Sequence, residues 1–325
     1  MQHIGKYLAR ARTRLDEIRL ENEEEYIRRH RNLYSRLPEL KEMDIELTRQ
    51  MNELFKISLG GSANTDLELQ QLKSRNLDLQ MKRAETLKAQ GYPIDYLDSV
   101  YTCKLCHDTG LSGNGICSCL EELYRRECIE GLLSCLPERN CSFDTFDISL
   151  YDSEDSRRAM KAIFAGCRKF AENFPNVSNG FLFQGGSGLG KTFLAASIAR
   201  SVTEKGYNVI YSSSVPLFSD YETERFSRAP EETEAAENRI LEYLNCDLLI
   251  IDDLGSELSS AVSVSSLYSL LSSRKLKNRK TVICTCCPDD ELKRRYGEQT
   301  FSRIKGELVP FAFSGHDIRL KKRGL

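Results

Sequence analysis

An eight-residue, glycine-rich segment constrains the fold of this 325-residue chain more than any other feature. It has the spacing G-x-x-x-x-G-K-[ST] and consists of Gly185, Gly186, Ser187, Gly188, Leu189, Gly190, Lys191 and Thr192. An apolar run at 180–183 precedes it, and a helical pattern at 193–199 follows it. Such a loop turns backbone N–H groups toward phosphate oxygens, and the helix adds its positive N-terminal end. The segment predicts a nucleoside triphosphate site in which Lys191 contacts the β- and γ-phosphates and Thr192 holds Mg²⁺.

Apolar runs alternate with helical patterns through the second half of the chain. A helix is predicted from 156 to 174, and strands are predicted at 180–184, 208–213, 247–252, 281–285 and 308–314. Continuous apolar runs such as 248–251 are typical of a parallel sheet that is buried on both faces. The predicted fold class is therefore α/β, with a P-loop parallel sheet flanked by helices.

Two acidic residues, Asp252 and Asp253, end one of these apolar runs. Acids at the end of a strand are weak evidence alone, but they gain weight downstream of a complete P-loop. Asp252 is predicted to orient Mg²⁺ through its water shell, and Asp253 is predicted to polarise the attacking water.

The twelve cysteines of the chain are unevenly distributed. Four of them form two close pairs joined by a glycine-rich loop, and they are Cys103, Cys106, Cys117 and Cys119. Four thiolates at this spacing can bind Zn²⁺ tetrahedrally in a closed site, which would be structural rather than catalytic. Free thiols or a redox pair are the alternative. A disulfide scaffold is disfavoured because the chain is long and shows no signal sequence.

The first part of the chain is helical in character. Residues 1–95 carry apolar side chains at steps of three and four in successive segments, which predicts amphipathic helices with a coiled-coil seam. The apolar stripes either close a small bundle on itself or form a docking surface for another protein. We therefore predict a helical partner-binding region at 1–95, a zinc module with a linker helix at 96–140, and an ATPase domain at 141–325.

Charge and hydropathy argue against two classes of protein. The formal net charge of −2 disfavours a globally basic nucleic-acid binder, although a local basic patch is compatible with it. No apolar run is long enough for a membrane span, and the N-terminal segment carries basic residues but no apolar signal core. We therefore expect a cytoplasmic protein without a membrane partner.

Further motifs accompany the P-loop and allow a comparison with a known family. They are DDLG at 252–255, RRYGE at 294–298, FSR at 301–303 and DIR at 317–319. Together they resemble the AAA+ domain of bacterial replicative helicase loaders of the DnaC/DnaI type. The cysteine loop at 101–120 resembles that of zinc-bearing loaders from Gram-positive bacteria. The related IstB-type transposition helper ATPases share the ATPase motifs but usually lack the cysteine module.

The resemblance implies ATP as the nucleotide and self-association of AAA+ domains. It implies Arg303 as an arginine finger in the site of a neighbouring subunit and Arg319 as a sensor-2 residue on the phosphates. A planar, permanently charged guanidinium suits both roles. Where the family has an asparagine after the fourth strand, this chain has Cys286, whose thiol is a poor hydrogen-bond partner for water. We therefore expect slow hydrolysis, with Thr285 as a partial substitute.

The resemblance also implies two partners, a hexameric replicative helicase and single-stranded DNA. In such loaders an additional helix lines a central channel, and the corresponding segment here is 215–245. It contains aromatic and cationic side chains suited to base stacking and phosphate contact, namely Tyr221, Arg225, Phe226 and Arg228. Several glutamates lie nearby, so a solvated acidic helix is the alternative.

The sequence as a whole favours an ATP-dependent helicase loader in which ATP binding and hydrolysis act as a switch. An IstB-type transposition helper that binds duplex DNA is the near alternative. A weakly hydrolysing, nucleotide-binding adaptor is the third possibility. Copurification with a helicase separates the first from the second, and turnover with and without DNA tests the third.

Overall fold

The computed structural model describes residues 5–60, 65–113, 115–136 and 140–318, with side chains throughout except in 58–60 and 65–68. Residues 11–123 form one compact unit, here called the N-terminal unit, and the rest of the described chain forms the sheet unit. None of the described helices is both long and apolar enough to cross a membrane.

The N-terminal unit is built on helices and a short antiparallel hairpin. Its elements are α1 (Gly5–Arg36), whose residues before Ala11 belong to the sheet unit, α2 (Pro38–Gly60), α3 (Thr65–Ala89), β1 (Leu111–Ser112) and β2 (Gly115–Ile116). Pro38 begins α2, where its missing N–H removes no helical hydrogen bond. α2 and α3 run antiparallel, because Asp44 accepts from Arg83 Nε at 2.6 Å while Gln50 Oε1 accepts from the Asn76 amide at 3.2 Å.

A small leucine core holds these helices together. It consists of Leu33, Leu40, Leu87 and Leu97. Large apolar side chains nevertheless remain exposed on α2, among them Ile45 at 60 % and Met51 at 66 %. The unit therefore combines a closed core with apolar side chains in solvent.

The sheet unit contains a sheet of five strands. The strands are β3 (Gly180–Gly185), β4 (Val209–Ser213), β5 (Leu248–Leu254), β6 (Lys280–Thr285) and β7 (Leu308–Phe313). Their order is β4-β5-β6-β3-β7, and each neighbouring pair is parallel. The strands lie within two residues of their predicted positions. The predicted fold class, an α/β P-loop sheet of the AAA+ kind with flanking helices, is confirmed.

Helices cover both faces of this sheet. They are α4 (Ser118–Cys135), which begins in the N-terminal unit, α5 (Glu154–Asn173), α6 (Lys191–Glu204), α7 (Ser214–Phe226), α8 (Pro230–Asn245), α9 (Ala261–Leu276) and α10 (Asp289–Glu307). Alternate residues of β5 enter different cores because side chains of a strand point to opposite faces. Leu248 and Ile250 pack with α5 and α6, whereas Leu249 and Ile251 pack with α7, α9 and α10. Burial on both faces explains the continuous apolar sequence of the strand.

Candidate nucleotide site and cysteine cluster

The candidate nucleotide site lies at the carboxyl ends of three neighbouring strands, in the order β5-β6-β3. β3 leads into the P-loop, β5 contains Asp252 and Asp253 near its end, and Cys286 follows β6 directly. Parallel strands bring their carboxyl ends to one edge of the sheet, so residues that are far apart in the chain become neighbours there. The sheet order therefore places the two predicted motifs together.

The P-loop has a backbone conformation that favours glycine. Gly188 and Gly190 have φ angles of 72° and 90°, in the left-handed region. A β-carbon on Gly190 would lie 2.7 Å from the hydroxyl of Tyr151, which donates to the carbonyl of Leu189 at 2.8 Å. Gly190 is also the N-cap of α6 and provides no side-chain acceptor for its first N–H groups. These donors suit phosphate oxygens.

The side chain of Lys191 folds back into the P-loop and is buried, with 5 % exposed. Its Nζ donates to the carbonyl oxygens of Gly185 at 2.7 Å and Gly186 at 2.6 Å, and it lies 3.4 Å from Cys286 Sγ. A buried ammonium group needs charge or hydrogen-bond compensation. Its place inside the glycine loop therefore fits a phosphate ligand.

Asp252 is buried, and both of its carboxylate oxygens accept hydrogen bonds. Oδ1 accepts from Thr192 Oγ1 at 3.3 Å and from the N–H of Asp253 at 3.0 Å, and Oδ2 accepts from the Tyr211 hydroxyl. Burial, with the Asp252 charge beside it, raises the pKa of Tyr211 well above its ordinary value, so its hydroxyl stays protonated. Thr192 and Asp252 together offer the hard oxygen atoms that Mg²⁺ prefers.

Asp253 is exposed and has a left-handed backbone, with a φ of 52°. This conformation costs a non-glycine residue on the order of 1 kcal/mol. The carbonyl of Asp253 accepts from Ser214 Oγ at 2.9 Å and from the N–H of Ser256 at 3.0 Å, which stabilises the turn. Asp253 therefore stands next to the buried Asp252 with access to solvent, as a residue that acts on water requires.

The turn after β6 places a thiol beside the P-loop lysine. Cys286 is exposed and accepts the 3.4 Å contact from Lys191. The expectation that Thr285 substitutes for the missing asparagine is wrong, because its buried hydroxyl donates to the Leu254 carbonyl at 2.6 Å and accepts from the N–H of Cys287 at 3.0 Å. The Thr285 hydroxyl holds the turn and is not available to position water.

Arg303 is held by neighbours on α9 and α10. Its two terminal nitrogens donate to Glu307 Oε1 at 2.7 Å and to the Tyr268 hydroxyl at 3.3 Å. Its guanidinium carbon lies 4.8 Å from the centre of the Tyr268 ring, a cation–π contact. Arg303 is therefore held by three interactions outside the P-loop. Arg319, the predicted sensor-2 residue, lies outside the described residues.

The position of Arg303 relative to the sheet follows from its partner Glu307. Glu307 lines a small cavity together with Gly180 and Lys280, the first residues of β3 and β6. These residues mark the edge of the sheet opposite the P-loop. The structure thus brings Lys191, Thr192 and Asp252 together and places Arg303 elsewhere.

The segment after β7 contacts the P-loop through Asp317 and Ile318, the two residues before Arg319. The N–H of Ile318 donates to the Gly188 carbonyl at 3.0 Å. A β-carbon on Gly188 would lie 1.8 Å from a carboxylate oxygen of Asp317. The family resemblance placed Arg319 of the DIR motif on the phosphates, and the structure brings the two residues before it to the P-loop.

The four cysteines of the N-terminal unit converge. Cys103 Sγ lies 3.8 Å from Cys117 Sγ, Cys106 Sγ lies 3.4 Å from Cys119 Sγ, and all four sulfur atoms lie within 4.8 Å of one another. A tetrahedral zinc site with Zn–S bonds of about 2.3 Å has sulfur separations of about 3.8 Å. The four thiols are not paired as disulfides. The cluster therefore fits Zn²⁺.

A buried carboxylate supports this cluster and was missed in the sequence. Asp108 is 2 % exposed and accepts from the N–H groups of Cys103 at 2.7 Å and Thr102 at 3.0 Å. It also accepts from the side-chain amide of Asn22 on α1 at 2.9 Å. Asp108 thus fixes the turn that carries two of the cysteines and ties it to a helix of the same unit.

Most of the sheet unit matches the model of a known protein family. The family model for the IstB-like ATP binding protein matches residues 124–304, which are more than half of the chain. The chain belongs to the IstB-like ATP-binding family. The family match includes the P-loop, both aspartates and Arg303, and it begins after the last cysteine of the cluster. The cysteine cluster therefore lies outside the region that the family model matches.

The relatives of this IstB-like protein are named for two different roles. The replicative helicase loader DnaC of Buchnera aphidicola subsp. Acyrthosiphon pisum is 26 % identical over 186 residues, covering 57 % of this chain and 72 % of that protein. The insertion sequence IS5376 putative ATP-binding protein of Geobacillus stearothermophilus is 28 % identical over 198 residues, covering 59 % and 73 %. A crystal structure of the DnaC helicase loader, 22 % identical, covers 54 % of this chain and 97 % of its own, with a TM-score of 0.46.

Membership of the IstB-like family identifies the sheet unit as an ATP-binding domain of the AAA+ ATPase fold, with ATP and Mg²⁺ as the usual ligands of the family. Its relatives include both replication proteins and an insertion-sequence protein. Family membership therefore identifies the site as an ATP site, but it does not distinguish between these two biological roles.

Proposed function

We propose that this protein is an ATP-dependent replication protein that loads a replicative helicase onto single-stranded DNA. The observation that carries the proposal is that Lys191, Thr192 and Asp252 lie together at one edge of the sheet. The same chain also contains a four-cysteine cluster. Relatives named replicative helicase loader support the replication context. The cysteine cluster favours a loader over a transposition helper, because zinc-bearing loaders are the family members that this part of the sequence resembles.

In this proposal the P-loop and Asp252 bind ATP with Mg²⁺. The backbone N–H groups of 185–192 donate to phosphate oxygens, and Lys191 neutralises phosphate charge. Thr192 and Asp252 hold the metal ion, which stabilises charge on the transferred phosphoryl group when it is bound. Asp253 polarises the attacking water. Arg319, in the segment that follows the P-loop contact of Ile318, acts on phosphate as sensor 2.

ATP acts as a switch of assembly in this proposal. Arg303 lies near the sheet edge opposite its own P-loop, so it can complete only the site of another copy. ATP bound between two copies then draws Arg303 from Glu307 and Tyr268 toward the phosphates, and hydrolysis releases it. The physical reason is that a triphosphate offers more negative charge than the single carboxylate of Glu307.

The N-terminal helices are the proposed dock for the helicase. Within the proposed region 1–95, Ile45 and Met51 expose large apolar surfaces on α2, as helix-in-groove recognition requires. The proposed module at 96–140 would bind Zn²⁺ through its four cysteines and stiffen the connection to the ATPase domain at 141–325. Such a protein works in the cytoplasm with the helicase hexamer.

The proposed single-strand DNA surface is on α7 and the turn after it. Phe226 is 67 % exposed, and the guanidinium of Arg225 lies 5.9 Å from its ring centre. Tyr221, predicted for the same surface, instead packs against the sheet core, and burial raises its pKa to about 12. The stacking surface is therefore reduced to Phe226 with Arg225 and Arg228.

The test is native mass spectrometry of the full-length protein mixed with ATP and the host replicative helicase. Wild type is compared with Met51→Glu, which places a charge on the exposed face of α2, and with Lys191→Ala. Leu258→Glu is the matched control, because Leu258 is a 91 % exposed apolar residue of the sheet unit. We expect Met51→Glu to lose the complex and Leu258→Glu to keep it.

Absence of a helicase complex for wild type in every nucleotide state would contradict the loader proposal. The alternative is then a transposition helper, which the similarity to the IS5376 ATP-binding protein favours. That protein class should retain ATP-dependent binding of duplex DNA without a helicase. Duplex binding measured on the same sample therefore decides between the two functions.

A further inference from the structure

Tyr211 joins the nucleotide site from a strand that carries none of the recognised motifs. It lies on β4, is 7 % exposed, and donates its hydroxyl proton to Asp252 Oδ2. The other oxygen of the same carboxylate, Oδ1, accepts from Thr192 and from the backbone of Asp253. Tyr211 and Thr192 therefore contact different oxygens of Asp252, and the buried thiol of Cys284 also interacts with this carboxylate.

The register of the sheet explains why these side chains meet. β4 and β5 are parallel neighbours in which Tyr211 is opposite Ile250 and Ser213 is opposite Asp252. Tyr211 and Ile250 belong to the same core, so they lie on the same face of the sheet. Asp252 lies two residues beyond Ile250 and so occupies that face as well. A tyrosine ring is long enough to span this diagonal distance along the strands.

We propose that Tyr211 is a positioning residue that fixes the rotation of the Asp252 carboxylate for Mg²⁺ binding. The inference rests on the proposed function, in which Thr192 and Asp252 hold the metal ion. A carboxylate rotates about its terminal bond, and its oxygens are chemically equivalent. The Tyr211 hydroxyl occupies Oδ2 and so keeps Oδ1 directed at Thr192, where the metal ion and its water shell are expected.

The contact between Tyr211 and Asp252 should affect metal binding without affecting nucleotide binding. Lys191 and the P-loop amides act on phosphate without help from Asp252, whereas Thr192 and Asp252 act on the metal. Loss of the Tyr211 hydroxyl should therefore weaken the response to Mg²⁺ and leave metal-free nucleotide affinity unchanged. A purely structural tyrosine would change stability and would affect both kinds of binding equally.

The chain contains a matched control for this hydroxyl. Tyr243, on α8, is also 7 % exposed, and its hydroxyl donates to the buried Asp220 on α7 at 2.7 Å. Tyr211→Phe and Tyr243→Phe each remove one oxygen atom from a buried tyrosine–aspartate pair of the same unit. Only Tyr211→Phe removes it from the nucleotide site.

The experiment uses the full-length protein and a fluorescent ATP analogue. Thermal unfolding of both variants is measured first, and titrations are done well below the lower midpoint. Nucleotide affinity is then measured in excess EDTA, followed by Mg²⁺ titration at saturating nucleotide. We expect Tyr211→Phe to raise the half-saturating Mg²⁺ concentration about 3- to 10-fold. Affinity in EDTA should stay within about 2-fold for both variants, and Tyr243→Phe should not move the Mg²⁺ midpoint.

An unchanged Mg²⁺ midpoint in Tyr211→Phe, or an equal shift in Tyr243→Phe, would overturn the positioning role. A second test repeats the substitution in an Asp252→Asn background, where Tyr211→Phe should add no further shift because its effect passes through Asp252. A full additional shift there would also overturn it. Failure of the metal site on which the inference rests gives a different result, since Mg²⁺ would then leave nucleotide binding by the wild type unchanged.

Discussion

The cysteine cluster and the nucleotide site are assembled in opposite ways. The four sulfur atoms come from one short segment, 103–119, whereas the nucleotide site combines β3, β4, β5, the turn after β6 and the segment after β7. A local cluster of thiols depends on a bound ion to hold its shape, and a site made from strand ends depends on the sheet. The two sites should therefore fail independently of each other.

The sharpest test of this independence is Lys191→Ala. We expect nucleotide affinity to fall about 100-fold or more, because the substitution removes the ammonium group from the phosphate site. Zinc content, measured by release to a chromogenic chelator, should not change. Lys205→Ala is the control, since Lys205 also donates to two carbonyls of the sheet unit, those of Ala171 at 2.6 Å and Glu172 at 2.5 Å. A loss of zinc in Lys191→Ala would show that the sites are coupled.

The reciprocal test is Cys106→Ser, which removes a buried ligand of the cluster. We expect bound zinc to fall from about one ion per chain to almost none, because three thiolates hold the ion much less tightly than four. Nucleotide affinity should remain within about 2-fold of wild type. Cys135→Ser, which removes an exposed thiol outside the cluster, should keep its zinc. Full zinc content in Cys106→Ser would exclude the four-cysteine site.

Arg303→Ala tests whether the nucleotide site extends to a second chain. We expect turnover to fall about 100-fold or more while nucleotide binding persists, because an arginine finger acts on the transition state. Glu307→Gln is the control, since it removes the partner of Arg303 and keeps the arginine. Mixing Arg303→Ala with Lys191→Ala should restore part of the activity. No recovery on mixing would argue that Arg303 does not act between chains.

The smallest effect is expected at Cys286. Replacement by Asn provides an amide where the thiol now contacts Lys191, so turnover should rise about 3- to 10-fold with little change in nucleotide affinity. Cys286→Ala should show no such gain. Steady-state ATP hydrolysis of the two variants checks this expectation, and an equal gain in both would mean that the thiol obstructs turnover rather than failing to support it.

The sequence could predict the parts of each site that depend on local spacing. The P-loop and the strand that ends in Asp252 are contiguous motifs, and the four cysteines are close together in the chain. The convergence of the cysteines needs no knowledge of the sheet order, whereas the meeting of the P-loop with Asp252 depends on it. The inner strands were predicted for a related reason, because burial on both faces makes a strand such as β5 a continuous apolar run.

The remaining contacts depend on which elements become neighbours, and no local pattern reports this. Tyr211 reaches Asp252 only because β4 pairs with β5, and Tyr151 reaches the P-loop from a turn before α5. From the sequence, Thr285 was expected to substitute for the missing asparagine, but in the fold its hydroxyl donates to the Leu254 carbonyl. Asp108 lies inside the cysteine segment, but the sequence did not indicate its role, because it binds backbone N–H groups rather than the metal.

The place of β3 in the sheet has a consequence for synthesis of the protein. β3 pairs with β6 on one side and with β7 on the other, and both strands come later in the chain. During translation the P-loop strand therefore stays unpaired until β6 has left the ribosome, and it is paired on both sides only after β7 has followed. Long-range parallel pairing of this kind is slow. A nascent chain that ends before β6 should therefore bind no ATP, so nucleotide binding reports that synthesis has passed this strand.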